Sequence, residues 1–304
     1  MAFERICLIG ASGNLGRLIL KHLLASPQNF HVSVLSRNSS PAKFPDGVTV
    51  VRVADDYPVA ELTRTFKDNS IDVVISAISM MGMHEQYKFI EACLGAGVKR
   101  YFPTEFGLDD LPDWLLQLRD MFKIKHDVRD YLISKQDTGL EWTSICCNAF
   151  FEMGIASGFF QLDWKSKKAV LVDGGEPKFV ATTLDTVALA VVKAIEKPEV
   201  SKNRILLVQD FRTSQREILD AVQQKVPGWQ VENVEYGSWL EKGKEQVRSG
   251  DNSALPKLTF GTFAQGNQYE GRPEFGNQVL GLPTKSFSEA MGIFWDEYGG
   301  QLKV

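Results

Sequence analysis

The stretch LIGASGNLGRLIL, residues 8–20, places three glycines, Gly10, Gly13 and Gly16, between an apolar run and a helical pattern. A glycine-rich turn that leads from a first strand into a helix presents backbone N–H groups and the positive end of the helix dipole to a phosphate. On this interpretation Gly10 permits the tight turn, Gly13 lets the backbone approach a pyrophosphate, and Gly16 lets the helix pack closely. A glycine-rich turn without a ligand is the alternative.

Length and composition predict a globular protein with a substantial core. The chain has 304 residues, of which 44% are hydrophobic, enough for one large domain or for a main domain with a smaller one. Its apolar runs end well before the roughly 20 residues that a membrane span needs, and the start MAFERICLIG enters a strand pattern without a basic leader or cleavage site. We therefore expect a soluble, cytoplasmic protein that does not bind membranes.

Charge and cysteine spacing argue against two further kinds of site. A net charge of −4 and a pI near 5.7, with lysines and arginines dispersed among acids, provide no basic field for direct nucleic-acid binding. The cysteines lack the spacing of a zinc site and lie in apolar stretches, so we predict buried, reduced thiols and no metal. They are Cys7, Cys93, Cys146 and Cys147.

Strand-like and helix-like segments alternate through the first half of the chain. Strands are predicted at 5–10, 31–37, 48–53, 72–78, 98–103 and 141–147. Helices are predicted directly after the glycine-rich turn and at 59–68, 84–96 and 114–135. Because strands separated by such helices form a parallel sheet covered on both faces, the sequence predicts an α/β fold, a Rossmann-type doubly wound sheet.

The rhythm changes after residue 150, which predicts a second unit. The expected bounds are 1–150 with 181–210 for a dinucleotide-binding domain, and 151–180 with 211–304 for a smaller substrate lobe. KAVLVDGGEPKFVAT predicts a hairpin or strand pair around Gly174 and Gly175, and Thr183 or Asp185 is expected to cap the late helix. RILLVQ (204–209) is predicted to add one more strand to the main sheet. The glycine-rich segment 261–277 is either a binding lid or an ordinary surface loop.

The end of the second strand decides between the two nicotinamide cofactors. An NAD-binding chain usually carries an acid there, about 20 residues past the glycines, to hold the ribose hydroxyls. This chain has Ser36 and Arg37 instead, with Lys43 nearby. A carboxylate would repel a 2′-phosphate, whereas a guanidinium binds it through two charge-assisted hydrogen bonds. We therefore predict NADP(H) rather than NAD, the alternative being that Arg37 is a solvated loop arginine.

Five stretches, in this order, give the chain a family resemblance: GASGNLG, SR, DVVISAIS, GVKRYFPTEFG and FKIKHDVRDYL. The chain resembles the isoflavone reductase-like and NmrA-like branch of the atypical short-chain dehydrogenases, which includes phenylcoumaran benzylic ether, pinoresinol-lariciresinol and isoflavone reductases. The glycine spacing G-x-x-G-x-x-G is the variant associated with short-chain dehydrogenases. The resemblance covers roughly residues 4–210, with KRYFPTEFG as its most distinctive piece, and implies an NADP(H)-dependent oxidoreductase.

The resemblance also implies that Lys125 is the catalytic lysine. The family carries this lysine in a V-K-x-x-x-R pattern, and IKHDVR places Lys125 and Arg129 at the matching positions. Over a nicotinamide ribose, such a lysine bonds the hydroxyls, adds positive potential beside the hydride, and donates or relays a proton. Without the resemblance, Lys125 is better interpreted as an exposed helix lysine that pairs with a nearby acid. The candidate acids are Asp120, Asp127 and Asp130.

A competing motif is the Y-x-x-x-K pair of Tyr131 and Lys135, by which ordinary short-chain dehydrogenases protonate a carbonyl. On one helix Tyr131 lies about 240° around and about 9 Å along from Lys125, so the two lysines cannot serve one site. We interpret Tyr131 as a packing residue and Lys135 as a cation at the helix C-terminus. The usual tyrosine position is then Met121, which leaves the proton donor open between His126, a water and Lys125.

Residues at the ends of the later strands complete the predicted site. Thr104, Phe106 and Asn148 are expected to line the nicotinamide pocket, the alternatives being core for Phe106 and a helix cap for Asn148. Four aromatic residues are assigned mainly to the core between the lobes, with a minority facing a flat aromatic ligand: Phe151, Phe159, Phe160 and Trp164. The predicted cofactor-binding set is Gly10, Ser12, Gly13, Asn14, Leu15, Gly16, Arg37, Lys43, Ser76, Ala77, Ile78, Thr104, Phe106, Lys125, Asn148 and Phe151. The catalytic candidates are Lys125 and His126.

Two functions stay open at this point. The first is an NADPH-dependent reductase of a small aromatic or polyketide-like metabolite, which the reductase-type position of Lys125 favours. The second is an NmrA-like protein that senses NADP(H) and regulates a partner without turnover. An ordinary carbonyl reductase that uses Tyr131 is disfavoured by the helix geometry. The oligomeric state is left open, a homodimer included.

Overall fold

The structure is a computed structural model that describes residues 3–119 and 122–302. Its strands are β1 (Arg5–Ile9), β2 (His31–Arg37), β3 (Thr49–Val53), β4 (Val73–Ser76), β5 (Arg100–Phe102), β6 (Glu141–Cys146), β7 (Ala149–Phe150), β8 (Leu162–Asp163), β9 (Lys168–Val172), β10 (Phe179–Thr182), β11 (Arg204–Leu207), β12 (Phe211–Thr213) and β13 (Gln230–Val234). Its α-helices are α1 (Asn14–Leu24), α2 (Val59–Asp68), α3 (Gln86–Ala96), α4 (Asp113–Leu118), α5 (Ile124–Ser134), α6 (Phe151–Ala156), α7 (Leu184–Glu196), α8 (Pro198–Ser201), α9 (Gln215–Lys225), α10 (Tyr236–Arg248), α11 (Leu255–Gly261), α12 (Asn277–Leu280) and α13 (Phe287–Tyr298).

A seven-stranded parallel sheet in the order β11-β6-β5-β4-β1-β2-β3 forms the centre of the fold. The strand order reverses at β1, because the chain passes to β2 and β3 on one side and then returns to β4 on the other. A crevice opens beyond the carboxyl ends of the strands at such a switch point. Gly10 follows β1 and Ala77 follows β4, so the glycine-rich turn lies at this crevice. The predicted doubly wound α/β fold is confirmed.

Helices cover both faces of the central sheet. On one face, Ile19 of α1 and Val191 of α7 belong to the same buried apolar layer. On the other face, Phe66 of α2, Phe89 of α3 and Leu132 of α5 pack together. Full burial of each such side chain stabilises the fold by about 1.5–3 kcal/mol, and the two layers hold the sheet rigidly beneath the crevice.

Two three-stranded sheets, β12-β10-β7 and β13-β9-β8, lie outside the central sheet and enclose an aromatic core. Phe160 and Trp164 are buried in this core, as predicted, whereas Phe159 is half-buried. The predicted strand pair around Gly174 and Gly175 is wrong, because β9 and β10 belong to different sheets. Asp173, Gly174 and Gly175 have φ values of 48°, 75° and 75°, so the intervening chain turns away instead of closing a hairpin.

The late helix and strand agree with the sequence. The helix α7 begins after Thr183, whose side chain accepts the N–H of Thr186, and β11 joins the central sheet beside β6. Thr183 is therefore the cap. Asp185 instead pairs with His22 at 2.9 Å.

The predicted single helix over 114–135 is wrong, because the chain forms α4 and α5 with a break between them. Arg119 is extended, with φ −155° and ψ 127°. Its guanidinium donates to the carbonyl of Val247 at 2.8 Å and to the amide oxygen of Asn252 at 3.1 Å. These tertiary contacts draw the backbone away from the helix axis.

The segment 261–277 is fixed along the edge of the central sheet. Leu207 of β11 donates its N–H to the carbonyl of Glu274 at 2.9 Å, and Asn267 accepts the N–H of Val180 at 2.8 Å. Tyr269, between them, is buried. These contacts favour a fixed edge cover over the lid that the sequence left open.

The cysteines are buried and free, as predicted. Burial raises the pKa of Cys7 and of Cys147 to about 12, so these thiols stay protonated. Over residues 3–119 and 122–302, no helix has both the length and the apolar character to cross a bilayer. The same ranges hold no group of three or more His, Cys, Asp or Glu side chains arranged for a metal ion.

Candidate active site

The glycine-rich turn is shaped by two positions that leave no room for a side chain. Gly10 has a φ of +84°, and a Cβ there would run into the carbonyl of Ala77. A Cβ on Gly16 would overlap the carbonyl of Gly10, so Gly16 packs closely against the turn. Gly13 donates its own N–H to Gly10 and precedes α1 without a capping side chain. The first-turn amides of α1 are thus left to face the crevice.

A groove of about 470 Å³, here called the Arg37 groove, runs from this turn to the end of β2. Arg52 donates to the carbonyl of Arg37 at 2.8 Å and fixes the backbone after the strand. Asp55, at the end of β3, also lines the groove, and hydrogen bonds from Ser39 hold the pKa of its carboxyl below the usual value. Predicted residues in its walls are Gly10, Ser12, Gly13, Arg37, Ala77 and Ile78.

A second groove of about 390 Å³, the junction groove, continues from the turn toward β5 and α5. Thr104 lines it and is fixed by Ser76, the two hydroxyl oxygens lying 2.9 Å apart. Predicted residues in its walls are Gly13, Asn14, Leu15, Ala77, Ile78, Thr104, Phe106 and Lys125. Because it shares Gly13, Ala77 and Ile78 with the Arg37 groove, the two form one continuous channel.

An apolar cavity of about 270 Å³ opens from the junction groove. Lys125 and Phe106 line both spaces, together with Phe150, Met153 and Met80. The remaining walls are mainly apolar and include Leu108, Leu111, Phe122, Phe159 and Phe263. Lys125 therefore brings its charge to the point where the channel from the glycine-rich turn meets the apolar cavity.

Lys125 is held by the turn that follows β5. Its Nζ donates to the carbonyl of Glu105, and Arg129, one turn later on α5, donates to the Glu105 carboxylate at 2.9 Å. Burial alone would lower the pKa of Arg129, but the charge of Glu105 and its hydrogen bonds raise it. Glu105 is only 2% exposed and also accepts from Ser144 at 3.3 Å, so its carboxylate is fixed on two sides.

Two residues of the cavity wall have left-handed backbone conformations. Phe106 has a φ of 29° and Asn148 a φ of 54°, conformations that are uncommon outside glycine and that cluster at functional sites. Asn148 is buried and donates its side-chain amide to Val180 at 2.6 Å. Asn148 lines the apolar cavity and not the junction groove. It follows β6, which lies beyond β5 in the sheet and is therefore further from the glycine-rich turn after β1.

Five predicted residues lie outside the channel and cavity walls. Gly16 is buried under the turn, Ser76 is buried behind Thr104, and Lys43 lines a neighbouring groove with Arg17 and Lys21. Phe151 is buried in the core against Phe211 and Phe287, with ring centroids at 5.0 and 5.7 Å, as its assignment to the core predicts. His126 lies 3.8 Å from Asp110 and lines neither the junction groove nor the cavity.

Two other residues of α5 that the sequence analysis considered have partners away from the cavity. Asp127 pairs with Lys123 at 3.1 Å. The Tyr131 hydroxyl donates to Glu91 and its ring packs edge-on against Tyr87, on the helix face away from the cavity. Asp120 and Met121 lie outside the described residues.

Sequence reasoning missed several wall residues. Phe150 lines both the junction groove and the cavity, one position before the predicted Phe151. Tyr57 lines the Arg37 groove with a φ of 52°, and Met80 follows β4 at the mouth of the channel. The aromatic stretch does not mark the boundary between β7 and α6 that separates Phe150 from Phe151, and the backbone conformation of Tyr57 has no local sequence signal.

Comparison with known proteins agrees with this architecture. The NmrA-like family profile matches residues 3–242. The oxidoreductase aprR of Aspergillus flavus is 33% identical over 94% of this chain and 97% of its own length. Phenylcoumaran benzylic ether reductase TP7 of Nicotiana tabacum is 25% identical over 92% of this chain and 93% of its own. A solved leucoanthocyanidin reductase–NADPH complex from Vitis vinifera has the same fold, with a TM-score of 0.74 at 17% identity over 96% of this chain and 100% of that one. The chain therefore belongs to the NmrA-like family, and it is an oxidoreductase related to the isoflavone reductase-like enzymes.

Proposed function

We propose that this oxidoreductase uses NADPH to reduce a small aromatic metabolite. The observation that carries the proposal is the junction at Lys125, where a channel from the glycine-rich turn meets the apolar cavity. A dinucleotide needs a long channel that starts at such a turn, and a flat apolar substrate needs a pocket with few polar groups. The NADPH named in the Vitis vinifera complex and the aromatic ether substrate class named for the tobacco relative support the same assignment.

The residues of the channel fit NADP(H). A Cβ on Gly10 or Gly16 would close the turn, and the uncapped start of α1 offers amides to a pyrophosphate. Arg37, at the far end, is suited to a 2′-phosphate. The nearby carboxylate of Asp55 accepts the backbone N–H of Ser39 at 3.1 Å, and its low pKa keeps it charged, so the guanidinium of Arg37 is the group that must offset its repulsion of a phosphate. On this proposal, residues 1–150 with 181–210 bind the cofactor, and 151–180 with 211–304 form the substrate lobe. The walls of the apolar cavity come from both units, with Phe106 and Leu111 from the first and Phe159 and Phe263 from the second.

The chain's own groups then have separate tasks. NADPH, when bound, supplies the hydride. Lys125 bonds the ribose hydroxyls and places positive charge beside the charge that develops on the reduced substrate. The apolar walls at Phe106 and Phe150 exclude water from that contact, which strengthens it. We assign proton delivery to Lys125 or to a water bound to it, since His126 faces Asp110.

The test combines binding and turnover. NADPH fluorescence is titrated with purified protein and then followed over time with aromatic ketones, enones, benzylic ethers and isoflavonoids. Lys125→Ala should lower turnover by about 100-fold or more while the NADPH affinity stays within a few-fold. Lys123→Ala is the matched control, because that lysine pairs with Asp127 and lines neither groove nor cavity.

Each outcome separates the two functions. NADPH binding with substrate-dependent oxidation supports the reductase and begins to identify its substrate. NADPH binding without turnover across the panel favours an NmrA-like sensor. Failure to bind NADPH contradicts both functions, and unchanged turnover in Lys125→Ala contradicts the role given to that lysine.

A further inference from the structure

The turn after β5 leaves a gap at Gly107 that the Lys125 ammonium occupies. A Cβ built on Gly107 would lie 2.9 Å from the Lys125 Nζ, closer than real side-chain contacts, and 3.6 Å from the carbonyl oxygen of Glu105. Gly107 does not have a positive φ, so its backbone conformation does not demand glycine. The close contact that a side chain at position 107 would make is with the Lys125 ammonium.

The same turn holds Lys125 from a second direction. The Glu105 carbonyl accepts from Lys125, and the Glu105 carboxylate accepts from Arg129 at 2.9 Å. Arg129 also donates to the carbonyl of Asp109 at 2.8 Å, which fixes the far side of the turn. Two residues four positions apart on α5 are thus bound to one residue of the turn, so helix and turn form a rigid unit.

We propose that Gly107 is a positioning residue: by lacking a side chain, it seats the Lys125 ammonium against Glu105 at the junction of channel and cavity. The inference rests on the proposed function only for the effect on turnover. A methyl group at position 107 displaces the tip of a flexible side chain, while the next backbone atom is at an ordinary contact distance. Gly107→Ala therefore moves the ammonium without unfolding the turn.

The first test is the steady-state kinetics of Gly107→Ala. We expect kcat to fall by about 10- to 100-fold, the cost of misplacing a reacting group by about 1 Å, with KM and NADPH affinity nearly unchanged. Gly292→Ala is the matched control, since a Cβ at that helical position in α13 meets nothing within 4 Å. Its kcat should equal that of the native chain. A kcat of Gly107→Ala equal to that of Gly292→Ala overturns the proposal.

A double mutant separates positioning from simple filling of the cavity, whose wall includes Gly107. If Gly107 acts through Lys125, adding Gly107→Ala to Lys125→Ala should change turnover no further. An additional loss of the same size in the double mutant, or a rise in KM alone, would assign Gly107 to substrate fit and overturn the proposal.

A third measurement does not depend on turnover. In cofactor-free protein, amine-reactive labelling followed by mass spectrometry compares Lys125 with Lys123 in the same peptide region. We expect Gly107→Ala to raise the labelling rate of Lys125 several-fold relative to Lys123, because the ammonium loses its seat. Unchanged labelling would show that Gly107 does not position the Lys125 ammonium. If labelling rises but Lys125→Ala leaves turnover intact, Gly107 does position the ammonium, whereas the proposed catalytic role of Lys125 is wrong.

Discussion

Replacing Arg37 by glutamate should weaken the binding of NADPH far more than the binding of NADH. Arg37 is exposed at the end of β2, and its backbone is fixed by pairing with Val53 and by the hydrogen bond from Arg52. The substitution therefore changes charge and leaves the loop in place. Two charge-assisted hydrogen bonds to a 2′-phosphate contribute about 1.5–3 kcal/mol each. Since the site is open to solvent, we take the lower figure for each, about 3 kcal/mol in total, or roughly 100-fold in Kd.

The measurement is a fluorescence titration of both cofactors against the native chain, Arg37→Met and Arg37→Glu. Arg37→Met removes the attraction alone, so its NADPH Kd should rise less than that of Arg37→Glu, which adds repulsion. The NADH Kd should change only a few-fold in both variants, because NADH lacks the 2′-phosphate. Higher salt should reduce the difference for the native chain. Equal losses of NADPH and NADH affinity would refute the assignment of Arg37.

Three further substitutions test the scaffold. Gly16→Ala forces a Cβ onto the Gly10 carbonyl, so it should lower the free energy of unfolding by about 1–3 kcal/mol and weaken NADPH binding. A native melting temperature together with a native NADPH Kd would contradict the close packing of Gly16 against the turn. Arg100 is 1% exposed and donates to the carboxylate of Glu141 and to the buried hydroxyls of Thr143 and Ser201. Arg100→Met should therefore lower the free energy of unfolding by about 3–5 kcal/mol in urea titrations. A loss under about 1 kcal/mol would count against a stabilising role of these hydrogen bonds. Burial raises the pKa of Glu152 from 4.5 to about 7, so the folded state holds that proton more tightly and stability falls as pH rises from 4.5 toward 7. Glu152→Gln should therefore stabilise the fold by about 3 kcal/mol at pH 8 and little near pH 4.5, whereas an equal gain at both pH values would show that the charge is not responsible.

The central sheet could be predicted because its signals are local. Every predicted strand of the first half overlaps an observed strand, from β1 to β6, and the glycine-rich turn has the conformation that Gly10 was expected to allow. A buried parallel strand needs a short apolar run bounded by turn residues, and the chain repeats that pattern with helices between. The family assignment followed from the same residues and is confirmed by the profile match.

The errors lie where distant contacts override local pattern. The break between α4 and α5 depends on Arg119 reaching Val247, 128 residues away. The chain around Gly174 has hairpin composition, yet β9 pairs with β13 and β8, which the sequence around the turn cannot specify. Propensity is a weak predictor at such places, because packing of remote segments decides the backbone.

In the candidate site, too, the residues with a local sequence signal could be predicted and those without one could not. The residues that line the channel could be predicted because they lie in or directly after the glycine-rich turn and the strand ends. Phe150 was missed in favour of Phe151 because the chain passes from β7 to α6 between them: Phe150 ends the strand and lines the junction groove, whereas Phe151 begins the helix and is buried. Lys43 was placed by nearness in sequence, but Phe44 and Pro45 carry it into the adjoining groove.

Two motifs on α5 compete for the chemistry, and the faces of that helix separate them. Lys125 and Arg129 are four residues apart and both reach Glu105, so their shared face looks toward the turn, the junction groove and the cavity. Tyr131 lies six residues beyond Lys125, and its hydroxyl donates a hydrogen bond to Glu91 at the exposed surface. Burial, together with the hydrogen bond to Glu91, raises the pKa of Tyr131 to about 12, which makes it a poorer acid than a free tyrosine. Spacing alone left both motifs available, whereas the contacts with Glu105 and Glu91 favour Lys125 over Tyr131 in the proposed reductase.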